Sequence, residues 1–330
     1  MIIGEYILAN DIMTLPVVYF VLPCYNESEG LRHTADVLKK KINQLIACDG
    51  ISGKSRILFV DDGSKDGTWD LIQQLHYEDE ALFGGVKLAH NRGHQSALYA
   101  GLMQALRDGC DAAISMDADL QDDVNAVDEM VKKFSQEHCE IVYGVRSSRE
   151  KDSWFKRNSA LMFYRVFEWM GAETVPNHAD YRLMSRLALE ALSEYHEVNL
   201  FLRGIVPSIG FKTGKVYYVR GVREAGESKY PLKKMIAFAL EGITSFSTKP
   251  FEVLSRGLGV ISILIGLIML AYAIGSVFMN HAVVGWGSMM CSIWLIGGFL
   301  MVSMGIVGEY VGKIYLETKH RPRYYIETAF

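Results

Sequence analysis

Short apolar runs alternate with amphipathic stretches through the first half of the chain. Val17-Val18-Tyr19-Phe20-Val21-Leu22 is β-rich and closed by Pro23, which predicts a buried strand running into the loop 24–29. A helix-like segment then reaches Ala47, and Arg56-Ile57-Leu58-Phe59-Val60 predicts a second strand that ends in Asp61-Asp62-Gly63-Ser64-Lys65-Asp66-Gly67-Thr68. Acid, small residues and two glycines suit that turn to wrapping a polar ligand. Val86-Lys87-Leu88-Ala89 predicts a third strand, followed by Asn91-Arg92-Gly93-His94 and a helix through Gly109. Ala112-Ala113-Ile114-Ser115-Met116 predicts a fourth, leading into Asp117. A helix from Val124 to Glu137 and a strand Glu140-Ile141-Val142-Tyr143 complete an alternating pattern. Such alternation predicts an α/β domain over 15–230 whose sheet is mostly parallel, of the nucleotide-binding type.

The second half changes character. Pro231 to Phe246 carries apolar residues with Lys233 and Lys234 at its start, as an interfacial helix region over 231–250 does. From Gly257 to Gly308 the side chains are almost uncharged. Gly257–Met279 and Ala282–Val307 are each long enough to cross a hydrocarbon core of about 30 Å, with Asn280-His281 as the turn. A two-helix transmembrane hairpin over 257–308 is the expectation. Lys249 and Arg256 precede it, while Lys313, Lys319, Arg321 and Arg323 follow it. By the excess of cations on cytoplasmic flanks, the catalytic domain, both termini and the 309–330 tail are expected to be cytoplasmic. Residues 1–14 have no basic leader before an apolar run and read as a short extension, not as a signal peptide.

Composition narrows the function. The net charge of −4 and the dispersed Lys and Arg give no basic footprint for nucleic acid. Cys24, Cys48, Cys110, Cys139 and Cys291 contain no Cys-x-x-Cys pair, so neither a zinc site nor a disulfide framework is suggested. Neither a Gly-x-Gly-x-x-Gly turn nor a Gly-x-x-x-x-Gly-Lys-Ser/Thr loop follows the first strand. The phosphate cradle of dinucleotide enzymes and P-loop ATPases is therefore absent. Asp117-Ala118-Asp119 stands where open α/β sheets bind ligands, at the carboxyl edge of a strand. Two carboxylates one residue apart suit a hard divalent cation whose open positions a diphosphate fills, or else form a solvated turn. Asp61 and Asp62, at a neighbouring strand end, either contact a nucleoside or cap a helix.

The series VLPCYNE (21 to 27), VDDGSKDGT (60 to 68), NRGHQSAL (91 to 98), DADLQDD (117 to 123) and YRLMSR (181 to 186) resembles the family-2 inverting glycosyltransferases. With FLRG (201 to 204), GESKYPLKK (226 to 234) and LEGITSFSTKP (240 to 250), the chain is similar to the polyprenyl-phosphate branch, above all the bactoprenol-phosphate glucosyltransferases, with dolichol-phosphate mannose synthases more distant. Each motif is short, and their order and spacing carry the likeness. The resemblance implies a GT-A fold, a nucleotide-sugar donor, Mg2+ or Mn2+, and a homo-oligomer, a tetramer. It implies Pro23, Tyr25, Glu27, Asp61, Asp62, Asp117 and Ala118 around the nucleotide, and Asp119 with Asp117 and Gln121 at the metal. Asp180 matches the family's catalytic aspartate, as a base or an orienting group; the alternative is an ion pair with Arg182. Val124 stands where many relatives have proline, and Tyr181 where Phe is frequent.

The implied reaction is transfer of glucose from UDP-glucose to undecaprenyl phosphate at the cytoplasmic face of the inner membrane, for modification of a cell-surface glycan. Mannose, GlcNAc or an aminosugar is the alternative sugar. A phosphate monoester has a second pKa of about 6, so it is largely ionised at neutral pH and needs positioning more than deprotonation. An anionic acceptor calls for cations, and Arg146, Arg203, Arg220, Arg223 and Lys229 are the candidates. A processive polysaccharide synthase is disfavoured because no Gln-x-x-Arg-Trp occurs. A lipid-linked-sugar carrier is expected to bear a charged site at the midplane of several helices, which the hairpin lacks. A non-catalytic lipid-binding scaffold is expected to lack the strand-end acids that are present here.

Overall fold

The computed structural model describes residues 15–147, 178–197, 200–219, 221 and 286–330, together with the single helical positions 257, 261, 264, 265 and 268. Among them, eight strands form one sheet in the order β7-β5-β6-β4-β1-β2-β3-β8. The strands are β1 (Val18–Cys24), β2 (Arg56–Asp61), β3 (Phe83–Leu88), β4 (Ala112–Ser115), β5 (Ile141–Arg146), β6 (His178–Ser185), β7 (Thr213–Tyr218) and β8 (Ile326–Ala329). The helices are α1 (Leu31–Ala47), α2 (Thr68–Glu78), α3 (His94–Arg107), α4 (Ala126–Glu137), α5 (Arg186–Ser193), α6 (Leu202–Ser208) and α7 (Trp286–Thr318). By its contacts the chain divides into two compact units. One holds every strand, including the last residues Pro322–Phe330, and the other holds α7.

The expected α/β domain with a mostly parallel sheet is present. Strands β4, β1, β2 and β3 run parallel, with Val21 beside Ser115, Cys24 beside Asp61, and Asp61 beside Lys87. Their carboxyl ends therefore deliver loops 24–28, 61–68, 89–93 and 116–123 to one edge. Alternating side chains of the strands serve two cores. Val18, Phe20 and Leu22 belong to one buried cluster with Leu31, Ala35, Leu38, Ile42 and Leu45, the apolar stripe of α1. Helix α3 lies against β1 and β2, where a Cβ on Gly101 would overlap Val21 and Val60.

Two strands depart from the expected alternation. β6 inserts antiparallel between β4 and β5, pairing Ser115 with Arg182 and Tyr143 with Arg182, so β5 does not neighbour β4. Because β6 runs the other way, its first residues, His178 to Asp180, arrive at the carboxyl edge of β4. That reversal brings Asp180 to Asp117. The tail is not merely a tail: β8 pairs antiparallel with β3, and Phe330 exchanges two backbone hydrogen bonds with Gly85.

In the other unit, α7 is 33 residues long, about 50 Å at 1.5 Å per residue. Leu295–Thr318 is the one stretch among the described residues that is long and apolar enough to cross a membrane, and it is unburied. The helix that holds most of the second expected span, 282–307, continues past Val307 through Lys313 to Thr318. Most of the first expected span, 257–279, lies outside the described residues, as do 1–14 and the interfacial region 231–250; Gly257, Ile261, Leu264, Ile265 and Ile268 are helical.

Candidate active site

The loops after β1 and β2 are stitched together before any ligand is considered. Asn26, at φ 55°, donates its backbone N–H to Ser64 Oγ (3.0 Å) and accepts Lys65 N–H on Oδ1 (2.9 Å). Glu27 N–H donates to Thr68 Oγ1 (3.0 Å), which itself donates to Asp66 (2.5 Å). Gly63, at φ 67°, is required twice over. Its conformation suits glycine, and a Cβ there would stand 2.7 Å from Asn91 N. Pro23 is buried within β1, and Tyr25, the next residue but one, is 42% exposed.

Asp61 is fully buried at the end of β2. One carboxylate oxygen accepts Ser64 N–H (3.2 Å), while the other is buried with no hydrogen-bond partner. Burial pushes its pKa up, against the hydrogen bonds from Ser64. Such an oxygen is an acceptor waiting for a donor. Asp62 has a different task. Its two oxygens accept Arg92 N–H (2.6 Å) and Gly93 N–H (2.9 Å), so it holds the loop that opens α3, the capping alternative.

The turn after β4 carries the paired acids. Thr34 Oγ1 donates to Ala118 O (2.7 Å), fixing the turn from α1. Asp119 accepts Gln121 N–H (3.2 Å) across Leu120, a non-glycine residue at φ 52°. Burial raises the pKa of part-exposed Asp117; His94 opposes this, while Asp122, Asp180 and Asp119 add to it. No group of three or more His, Cys, Asp or Glu that could hold a metal occurs among the described residues. That donor set fits a cation of the magnesium type, which binds through one or two carboxylates and takes its remaining oxygens from water and substrate phosphates. A zinc site with four protein ligands does not fit.

Asp180 sits across from this turn in a nest of cations. Oδ1 accepts Arg182 Nη2 at 2.6 Å, and Oδ2 accepts Arg203 Nη2 at 2.9 Å. Gln95 Nε2 donates to Oδ2 at 3.3 Å, and His94 Nε2 lies 3.6 Å from it. Burial alone would raise the Asp180 pKa, but the hydrogen bond from His94 and the charges of Arg203 and Arg182 hold it well below the usual range. Arg182 is 1% exposed and also donates to Leu202 O (3.2 Å). Arg203 keeps 37% of its side chain exposed. The expected Asp180–Arg182 alternative is thus realised, and Arg203 joins it. Arg220, Arg223 and Lys229 lie outside the described residues.

Arg146, a candidate acceptor contact by sequence, is held by two side chains. Its guanidinium meets Tyr218 Oη (3.3 Å) and Asp122 Oδ1 (3.5 Å), and Tyr218 donates to the same Asp122 oxygen (2.5 Å). Four residues of this constellation carry no catalytic or binding role in the sequence: His94, whose expected role is structural or hydrogen-bonding, and Gln95, Asp122 and Tyr218. The signal for the first two was available, since they open a helix directly after a strand-end loop. Nothing local marks Tyr218, which reaches Asp122 across 96 positions of chain.

The family model of glycosyl transferase family 2 matches residues 19–201, which include these four parallel strands, the paired acids and Asp180. An uncharacterized glycosyltransferase of Bacillus subtilis, YkoT, is 47% identical over 312 residues, covering 94% of this chain and 91% of that protein. The bactoprenol glucosyl transferase of Shigella phage SfV is 37% identical over 314 residues, covering 94% and 98%. A prophage bactoprenol glucosyl transferase homolog of Escherichia coli is 35% identical over 312 residues, covering 94% and 98%. On the extent of these matches, the chain belongs to glycosyl transferase family 2.

Proposed function

We propose that the protein transfers a sugar, glucose from UDP-glucose, to undecaprenyl phosphate at the cytoplasmic face of the membrane, with inversion at the anomeric carbon. One observation carries this reading. Asp180, at the position of the family's catalytic aspartate, is ion-paired to Arg182 and Arg203 and has its pKa held low. A carboxylate so committed is a poor proton acceptor. It suits an acceptor that is already ionised, a phosphate monoester, better than a sugar hydroxyl that must be deprotonated. Asp180 is then an orienting group. The bactoprenol transferases among the relatives point the same way.

In this reading Asp61 accepts a base N–H on its unpartnered oxygen, Tyr25 offers its ring as a face, and Pro23, Glu27 and Ala118 line the nucleotide. Asp119, with Asp117 and Gln121, would hold Mg2+ or Mn2+. When bound, such a cation neutralises charge on the departing diphosphate. Arg203 orients the acceptor phosphate for attack on the face opposite the leaving group, and its pairing with Asp180 fixes the direction of its fork.

The shared sheet supports the hairpin part of this proposal. β3 and β8 are neighbours in it, so the chain leaves the strand-bearing unit and returns to the same unit. A segment that does so crosses a bilayer an even number of times. With α7 as one crossing, the apolar stretch 257–279 is the other crossing in this proposal.

Purified full-length protein in detergent should convert undecaprenyl phosphate and labelled UDP-glucose to a lipid-linked sugar in the presence of Mn2+, with a chelator removing the signal. Labelled GDP-mannose and UDP-GlcNAc run alongside decide the sugar. Absence of transfer from any donor overturns the proposal.

A further inference from the structure

The second acid pair of the Asp-rich turn is not used by the mechanism above, and Asp122 is 3% exposed. Four other groups converge on it and its neighbours. Tyr218 Oη donates to Asp122 Oδ1 at 2.5 Å from the end of β7, and Arg146 reaches both from the end of β5. Tyr181 Oη donates to Asp123 O (3.0 Å) from β6, and its ring stands edge-on to that of Tyr218 at 5.4 Å. Gly221 N–H donates to Gln121 O (2.8 Å). All of them act on the turn whose Leu120 holds φ 52°, a conformation a non-glycine residue keeps only where its surroundings impose it.

We propose that Asp122, Tyr218 and Arg146 form a buried clamp that positions the turn carrying Asp119 and Gln121, so that these three residues set divalent-cation affinity without touching the cation. The inference rests on the metal reading above. It reassigns Arg146 from acceptor contact to positioning residue. With Nε on Tyr218 and Nη2 on Asp122, its guanidinium is engaged by the turn. Burial keeps the Tyr218 hydroxyl protonated, so it remains a donor to the carboxylate. Groups that orient a metal's ligands without binding it typically alter metal affinity by about 10 to 100-fold. Tyr218→Phe removes the hydroxyl and leaves the ring against Tyr181, which makes it a narrow probe.

The test is Mn2+ uptake by the full chain in detergent with UDP present, followed by electron paramagnetic resonance, beside the KM for undecaprenyl phosphate. Tyr218→Phe and Arg146→Ala should each raise the Mn2+ concentration at half-saturation by about tenfold, with the KM for the acceptor unchanged. Asp122→Asn, which keeps size and an acceptor oxygen, should raise it less, and serves as the readout where Tyr218→Phe does not fold. A wild-type Mn2+ curve in the folded variants overturns the clamp. So does an Arg146→Ala effect confined to the acceptor KM, which returns that residue to the acceptor. A wild-type protein that takes up no Mn2+ with UDP overturns the metal reading itself, and is told apart because no variant is then needed.

Discussion

His94 Nε2 lies 3.6 Å from Asp180 Oδ2 and 3.7 Å from Asp117 Oδ1, so one imidazole stands between the carboxylate of the acceptor side and that of the donor side. Burial works against its protonation, yet the hydrogen bond to Asp180 and the charges of Asp117 and Asp180 raise its pKa above the ordinary value. Without the ring, two carboxylates face each other with no cation between them. His94→Ala is expected to lower kcat by about 10 to 100-fold, the range seen when a group orienting a site is removed. Steady-state kinetics on both substrates check this. Wild-type kcat in the variant would show that the ring is a bystander.

Asp180→Asn tests the ion-pair assignment through stability. Arg182 is almost wholly buried, and the substitution leaves its charge without a carboxylate. Breaking a buried pair in this way costs about 3 to 5 kcal/mol. Thermal denaturation in detergent should show a clear fall in midpoint, which Arg182→Met in the same chain should partly restore. The sign of the pH dependence follows from the depressed pKa. The pair's contribution is complete above the unfolded carboxylate value of about 3.9 and is lost only as pH falls through the lower folded value. The difference between wild type and variant should therefore grow once, as His94 takes up the proton that Asp180 helps it to hold, and then stay constant down to about pH 4. An acidic limb in the rate near pH 6 then belongs to the acceptor phosphate or to His94, and not to Asp180.

Much of this arrangement is legible in the chain. The runs at Val17, Arg56, Val86 and Ala112 are apolar but for Arg56, Lys87 and Ser115; they lie in the four parallel strands, and acids follow β2 and β4 at the expected ends. β6 is illegible because its stretch HADYRLMS places Asp180 and Arg182 in a buried strand, where apolar patterning predicts neither. Their pairing with each other, together with Arg203 on Asp180 and Leu202 O on Arg182, makes their burial tolerable. β8 is four residues long and gains its meaning from β3, some 240 positions earlier. Asp62 shows a different limit. An acid at a strand end reads alike whether it meets a ligand or two backbone N–H groups.

Asp61→Asn should trade binding for stability. Burying a carboxylate oxygen without a partner opposes folding, as the raised pKa records. The neutral amide relieves about 1 kcal/mol or more of that cost. The variant is expected to denature at a higher temperature than wild type at pH 7 and to bind UDP more weakly. The sign with pH is opposite to that of Asp180. A raised folded pKa means that the native state gains as the carboxylate takes up its proton, so the advantage of the variant should shrink as pH falls toward the unfolded value of about 3.9. Isothermal titration with UDP and denaturation at two pH values measure both halves. A variant that is less stable at pH 7 would mean that the unpartnered oxygen is not a burden.

The last residue offers a test of how the tail is held. The Phe330 ring packs 5.3 Å from Trp69 and 4.2 Å from His76, centroid to centroid, over Gly85. A Cβ on Gly85 would stand 2.8 Å from the ring and 2.8 Å from Ile72 Cγ2. Gly85→Ala thus overpacks the site, at a cost of about 1 to 3 kcal/mol. Phe330→Ala empties it, with a cost of similar size for a partly buried ring. In the double variant the new methyl enters the space the ring has left, and only the contact with Ile72 stays tight. The two effects should therefore fall short of adding, with a coupling on the order of 1 kcal/mol. Denaturation midpoints of the four proteins measure it. Additive losses would mean that Phe330 does not rest on Gly85 and that β8 is held by its backbone pairing alone.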